Sequence, residues 1–303
     1  MGSGATGLAA SLRRGLRASA FAGWVLVGVA VAGALALRFR LERRHPRARP
    51  LAAWWKRGFA RVLGLRVHVE GEPAARPVFL VANHISWLDI VAVGSRLPVA
   101  FVSKAEVRNW PLVGWMVRHG GTLFLERGAH QATQISDEIG RRLEEGGAVM
   151  VFAEGTTSAG GSVRPFFPRL FAPVAGTGRC IQPVAIRYRA EGPVHPTAPF
   201  IDDDPMPAHL WRVLGEKRID VELHFLEPLS AAEGEDRKAL AGRTRSEICR
   251  ALGLPEELAR PAADGDLSAL GTSRRRAFAR AGERAPAAKA GRSEDAEPGE
   301  RLG

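Results

Sequence analysis

The chain has 303 residues, 46% of them hydrophobic, which is enough for one large or two small domains with a core and too apolar for wholesale disorder. Glycine and proline are raised but show no period, so collagen-like and repeat architectures are excluded, and two distant cysteines, Cys180 and Cys249, exclude a disulfide scaffold or a cysteine zinc site and suggest a reducing compartment. The net charge of +11 is confined to one end: residues 1 to 66 hold 13 of the 43 basic side chains and one acid, Glu42, so the near-neutral remainder does not read as a nucleic-acid binder.

From Ala18 to Leu37 run 20 uncharged residues, bounded by Arg17 and Arg38. A helix of that length matches a hydrocarbon core of roughly 30 Å. A signal peptide is the rival reading, because Arg13, Arg14 and Arg17 resemble its basic start and Ala34-Leu35-Ala36 a cleavage site. However, signal apolar regions span about 7–15 residues. Here Arg38, Arg40, Arg43, Arg44, Arg47 and Arg49 follow at once, a block that resists translocation and marks the cytoplasmic side. Residues 1–50 are therefore expected to be an uncleaved membrane anchor with basic flanks, holding the rest on the cytoplasmic face of the inner membrane. In residues 51–64, Leu51, Trp55, Phe59, Val62 and Leu63 recur at helical spacing while Lys56, Arg57 and Arg61 lie off that stripe. Such a helix either lies in the headgroup layer or packs on the domain, and both readings stay open.

Apolar, β-rich runs follow at Leu65–Val69, Pro77–Ala82, Val99–Ser103, Thr122–Leu125, Ala148–Phe152, Ile181–Ile186 and Ile219–Phe225. Helical patterns lie between several of them, most clearly His130 to Glu145 with Ile135, Ile139 and Leu143 on one face, and a later one covers Ala231 to Leu252. This alternation predicts a single α/β domain over 65–258, with a largely parallel mixed sheet flanked by helices. Residues 261–303, rich in Ala, Gly, Arg and Glu, read as a disordered tail.

In such sheets the chemistry collects on loops at the strand carboxyl ends. The second run ends Asn83-His84-Ile-Ser86-Trp87-Leu-Asp89. Positions i and i+5 of one helix diverge by about 140°. For Asp89 to meet His84, the histidine must therefore precede the helix; the carboxylate would then fix the imidazole tautomer and support its charge as it takes a proton from a hydroxyl. A helix-capping Asn83 or Ser86 beside a surface histidine is the plainer alternative. Three further blocks follow in order: Gly121-Thr-Leu-Phe124-Leu-Glu-Arg127, then Phe152-Ala153-Glu154-Gly155-Thr156-Thr157-Ser158, then Ile181-Gln-Pro183-Val184. With the first, they resemble the NHxxxxD, GxxFxxR, FPEGTRS and proline-centred blocks of the glycerophospholipid acyltransferase superfamily, over about half the chain, from Leu65 to Phe225.

The resemblance implies direct acyl transfer from a thioester, acyl-CoA or acyl carrier protein, to a hydroxyl. His84 would be the base and Asp89 its orienting partner; Arg127, Glu154, Gly155 and Thr156 would bind the polar acceptor; the block around Pro183 is associated with the donor. No cofactor and no metal are implied. Two positions depart from the family pattern: Ala153 stands where proline is usual, and Thr157 where an arginine helps to hold a phosphate. Threonine cannot replace a bidentate cation, though Arg164 or Arg169 in the same stretch could supply one. Lysophosphatidic acid, the commonest acceptor of the family, is the expected substrate in phospholipid synthesis; a lyso-ornithine lipid or another lysolipid is the alternative. The missing GxSxG argues against a serine hydrolase and the missing GK[ST] against an NTPase. A non-catalytic lipid-binding protein would leave His84, Asp89 and Glu154 unexplained. Trp110 to Met116 reads as lipid or acyl-chain contact, or as core.

Overall fold

The computed structural model describes residues 3–39, 48–104, 122–125, 129–192, 194–201 and 203–255. At its centre lie β2 (Val78–Ala82) and β5 (Ala148–Phe152), buried along their whole length and paired in parallel. Unbroken apolar strands of this kind need cover on both faces. On one side β5 pairs with β3 (Ala100–Lys104), which pairs with β4 (Leu123–Leu125), again in parallel. On the other side β2 pairs in parallel with β6 (Cys180–Tyr188), and β6 pairs antiparallel with β7 (Ile219–Phe225). A parallel pairing to β1 (Leu65–Glu70) closes that edge, and the short β8 (Leu229–Ser230) runs antiparallel beside β6. The sheet is therefore mixed and mostly parallel, in the order β1-β7-β6-β2-β5-β3-β4.

Side chains alternate across the strands and divide the interior into two cores. Leu80, Ala82, Met150, Phe152, Val184 and Ile186 meet α2 (Ala48–Val62) and α3 (Leu88–Arg96) on one face. Phe79, Val81, Val149, Val151, Ile181 and Ala185 meet α4 (Ala129–Glu144) and α6 (Arg237–Leu252) on the other. Ile135, Ile139 and Leu143 form the buried stripe of α4 that the sequence predicts. The last helix starts later than Ala231. β8 takes Leu229–Ser230, and the Asp236 carboxylate caps the backbone N–H groups of Lys238 and Ala239, so the helix begins at Arg237. The sequence reading passed over α5 (Met206–Gly215), ten residues with Pro207 in its first turn.

The apolar run lies within one helix, α1 (Ser3–Phe39). Its segment Ser11–Val31 is long and apolar enough to cross a membrane. One flank of it is taken up by the domain. Arg13 donates through Nε and Nη2 to the Gly215 carbonyl at 2.9 and 2.7 Å, and Arg17 donates to the carbonyls of Glu216 and Lys217. These are carbonyls at the end of α5, where a helix has no partners of its own. Further along, Trp24 and Trp55 each donate the indole N–H to the other's backbone carbonyl at 3.0 Å, and Phe21 meets Phe59 at 5.3 Å. Gly58 permits this approach, since a Cβ there would stand 2.0 Å from the Trp24 ring. For α2, Phe59, Ala60 and Leu63 are buried in the core, so that face packs on the domain while Trp54 stays exposed. The Trp110–Met116 segment, Arg127 and residues 261–303 lie outside the described residues.

Candidate active site

Strand β2 ends at Ala82, and the chain leaves the sheet toward α3 through residues 83–87. The Asn83 side chain keeps this departure in register. Its Nδ2 donates to the Ile186 carbonyl at 3.0 Å and its Oδ1 accepts from the Ile186 N–H at 2.8 Å. The amide thus continues the β2–β6 ladder one step after the backbone has turned away. Asn83 is therefore not a helix cap, and α3 has no side-chain cap at Trp87.

His84 follows in the loop, ahead of the helix, as a dyad with Asp89 requires. Its Nδ1 lies 2.8 Å from Asp89 Oδ2, and that oxygen also accepts the N–H groups of Ile85 at 2.8 Å and Ser86 at 3.0 Å. The other oxygen, Oδ1, accepts the Tyr188 hydroxyl at 2.6 Å. Asp89 is wholly buried in the first turn of α3, where a carboxylate also suits the helix dipole. A carboxylate facing Nδ1 places the ring proton there and leaves Nε2 as the acceptor. No described residue bonds Nε2, and the imidazole stays 17% exposed, so it is open to a substrate.

The loop after β5 holds the histidine from beneath. Glu154 Oε1 accepts the His84 N–H at 2.7 Å, and Ser158 donates to the His84 carbonyl from its N–H at 2.8 Å and from its hydroxyl at 3.2 Å. Glu154 Oε2 accepts the Arg164 N–H at 3.0 Å, so one carboxylate ties the two loops together. Burial pushes the Glu154 carboxyl up to about 7, with Asp89 adding to the rise; the two N–H bonds and the Arg164 charge oppose it. The chain can turn after Glu154 because Gly155 sits at φ 69°, in the left-handed region. Phe152, the last residue of β5, stacks on the imidazole at 4.0 Å with 15° between the planes.

The expected residues His84, Glu154, Gly155, Thr156 and Arg164 thus fall on two neighbouring loops at the carboxyl ends of β2 and β5, with Asp89 beside them in the first turn of α3. Pro183 does not join them. It lies inside β6, paired with Val81, and its carbonyl accepts from Leu226 in the gap between β7 and β8. A residue without an N–H fits a strand at such an interruption. Arg127 is among the residues outside the description. The hydroxyl at Thr157 is turned to the Phe200 carbonyl. Among the described residues no group of three or more His, Cys, Asp or Glu side chains could hold a metal ion.

Residues 65–187 match the family model for acyltransferases. The chain is 40% identical over 245 residues to the lyso-ornithine lipid O-acyltransferase of Pseudomonas aeruginosa, covering 80% of this chain and 95% of that one. It belongs to the acyltransferase family. A second lyso-ornithine lipid O-acyltransferase, from Brucella abortus, is 38% identical, covering 70% of this chain and 85% of that one. The 1-acyl-sn-glycerol-3-phosphate acyltransferase of Neisseria gonorrhoeae is 33% identical over 61% of this chain and 73% of that one. The acyltransferase fold is shared with the crystal structure of the 1-acyl-sn-glycerophosphate acyltransferase PlsC from Thermotoga maritima. The TM-score is 0.54 at 24% identity, over 79% of this chain and 96% of that one.

Tyr188, whose hydroxyl bonds Asp89, is a residue of this candidate site that the sequence reading missed. It is the only tyrosine in the chain. Strand alternation carries the signal: Val184, Ile186 and Tyr188 share the face of β6 on which α3 packs.

Proposed function

We propose that this acyltransferase moves a fatty acyl group from a thioester, acyl-CoA or acyl carrier protein, to the hydroxyl of a lysolipid at the membrane, with His84 as general base. The observation that carries this reading is the His84–Asp89 pair with Nε2 left open. As the acceptor oxygen attacks the thioester carbonyl, Nε2 takes its proton; the C–O bond forms, the C–S bond breaks, and the proton passes to the departing thiolate. No covalent intermediate is needed. Of the serines beside His84, Ser158 donates to the His84 carbonyl and Ser86 is fully buried. Glu154, Gly155, Thr156 and Arg127 are read as the acceptor side and Pro183 as part of the donor block.

The acceptor we favour is a lyso-ornithine lipid, a shift from the expectation of lysophosphatidic acid. Where the family block has a phosphate-holding arginine, the Thr157 hydroxyl binds the Phe200 carbonyl and presents no cation. The two relatives of 40% and 38% identity bear the lyso-ornithine name. Lysophosphatidic acid remains the second reading because Arg164, on the same loop, brings its charge close to Glu154. A panel of purified lysolipids offered with one labelled acyl-CoA tests both. Lyso-ornithine lipid is expected to be acylated fastest and Thr157→Arg to shift preference toward lysophosphatidic acid. Ready use of lysophosphatidic acid, with a KM raised about 10- to 150-fold in Arg164→Ala, establishes the second reading instead.

Membrane association is supported by the exposed Leu12, Leu16, Leu26, Val27 and Trp54 on α1 and α2. The six arginines from Arg38 to Arg49 favour the cytoplasmic side.

A further inference from the structure

Among the described residues, three donors converge on one oxygen of Asp89 and a single donor holds the other. That single donor, the Tyr188 hydroxyl, comes from 99 residues along the chain, at the end of β6. We propose that Tyr188 is a positioning residue for acyl transfer: by holding Asp89 Oδ1 it aims Oδ2 at His84 Nδ1. The proposal rests on the reading of His84 as the base.

The geometry assigns this task because the final torsion of an aspartate is soft. Oδ2 must face His84, Ile85 and Ser86 together, and among the described residues no other group of the 83–89 segment or of α3 bonds Oδ1. Tyr188 does so from the neighbouring strand β6, at 2.6 Å. The same strand already holds the start of the loop, where Ile186 bonds Asn83 through both backbone groups. Ile186 and Tyr188 therefore fix the residues on either side of His84, and β6 sets the orientation of the base without touching it.

The phenol also has the right character for a permanent donor. Burial, with the Asp89 charge in front of it, holds its proton well above the ordinary tyrosine range. The other titratable groups around the dyad are engaged elsewhere. Glu154 binds the backbone of His84 and Arg164, and Arg164 acts on Glu154. His195 meets the Tyr188 ring at 6.4 Å, with Nδ1 accepting from Thr197 and Ala198. Burial lowers its pKa, against the opposing charges of Glu216 and Asp220.

A tyrosine that merely fills the core is replaced by phenylalanine without kinetic effect, and this separates the two roles. The assay uses full-length protein in mixed micelles, with palmitoyl-CoA as donor and lyso-ornithine lipid and lysophosphatidic acid each as acceptor. Tyr188→Phe is expected to lower kcat about tenfold, with KM unchanged within about twofold. The acid limb of its kcat/KM profile should move to higher pH, because a carboxylate relieved of one donor supports the imidazolium more strongly. As Tyr188 is the only tyrosine, growth on 3-fluorotyrosine alters this position alone. The fluorinated phenol is a stronger donor and should move the acid limb to lower pH. Opposite displacements support the proposal; a wild-type kcat and limb in the Tyr188→Phe variant, or displacements in the same direction, overturn it. Should the Tyr188→Phe protein fail to fold, the fluorotyrosine protein decides, and an unmoved limb there overturns the proposal. Activity retained by His84→Ala refutes the underlying reading of the base. An inactive His84→Ala beside an unaffected Tyr188→Phe refutes the role of Tyr188 alone.

Discussion

At the scale of single residues, His84 is held at its backbone N–H, its carbonyl, one ring nitrogen and one ring face, by Glu154, Ser158, Asp89 and Phe152. Only Nε2 is left for chemistry. His84→Ala should therefore cut turnover by about 10²- to 10⁴-fold while circular dichroism and membrane association stay unchanged. Asp89→Asn should lose nearly as much activity and also fold less stably. Its amide cannot support the imidazolium, and if its NH₂ faces the loop it meets donors instead of accepting from them. The stability cost is about 1–3 kcal/mol, measurable in denaturant. Glu154 gives a prediction in pH. Its carboxyl lies at about 7 in the fold, above the usual carboxylate value, so the folded state binds more protons than the unfolded one through that interval. The resulting stability is complete below the unfolded value and is lost as pH rises to about 7, by about 3 kcal/mol. Glu154→Gln removes the titration, so denaturant midpoints from pH 4.5 to 8 should lack that slope. An unchanged slope in the variant would assign it to another group.

Among the elements, the strands show what could be read beforehand. Ala148–Phe152 and Ile219–Phe225 match the predicted runs to the residue: the first is an unbroken apolar run that needs cover on both faces, and the second alternates apolar and polar residues with the period of a strand. The His84–Asp89 spacing was legible too, since it works only with a loop between strand and helix. Less local bonds were not. Asn83 reads as a cap from its neighbours, yet its amide serves a strand 103 residues away. The start of α6 is set by Asp236, which takes the cap, while its neighbour Glu235 accepts from Arg243 eight residues on. Arg127 and Pro183 entered the site through resemblance alone, and Pro183 is explained by the gap between β7 and β8. The Asn83 bond can be tested at this scale. Asn83→Ala leaves the Ile186 N–H and carbonyl buried without partners, so it should cost about 2–4 kcal/mol in denaturant. It should also lower kcat more than it raises KM, since the loop that carries His84 loses its register. A variant with wild-type stability would show that the ladder closes without the amide.

For the whole molecule, the relation of α1 to the rest is decisive. A purely passive anchor would not be a helix whose arginines bond the end of α5 and whose Trp24 exchanges hydrogen bonds with Trp55. Deleting residues 1–47 should leave a domain that is less stable as well as less membrane-bound, with Trp55 and Phe59 uncovered and prone to aggregate. Thermal unfolding of the truncated and full-length chains side by side checks this, and equal midpoints would restore the anchor to a passive role. The same contacts bear on the handling of the protein in detergent. Surfactant that competes for the apolar flank of α1 also competes with α2 and with the end of α5. Solubilisation then acts on the folding equilibrium itself, and two micelles that extract the enzyme equally well can return it with different half-lives.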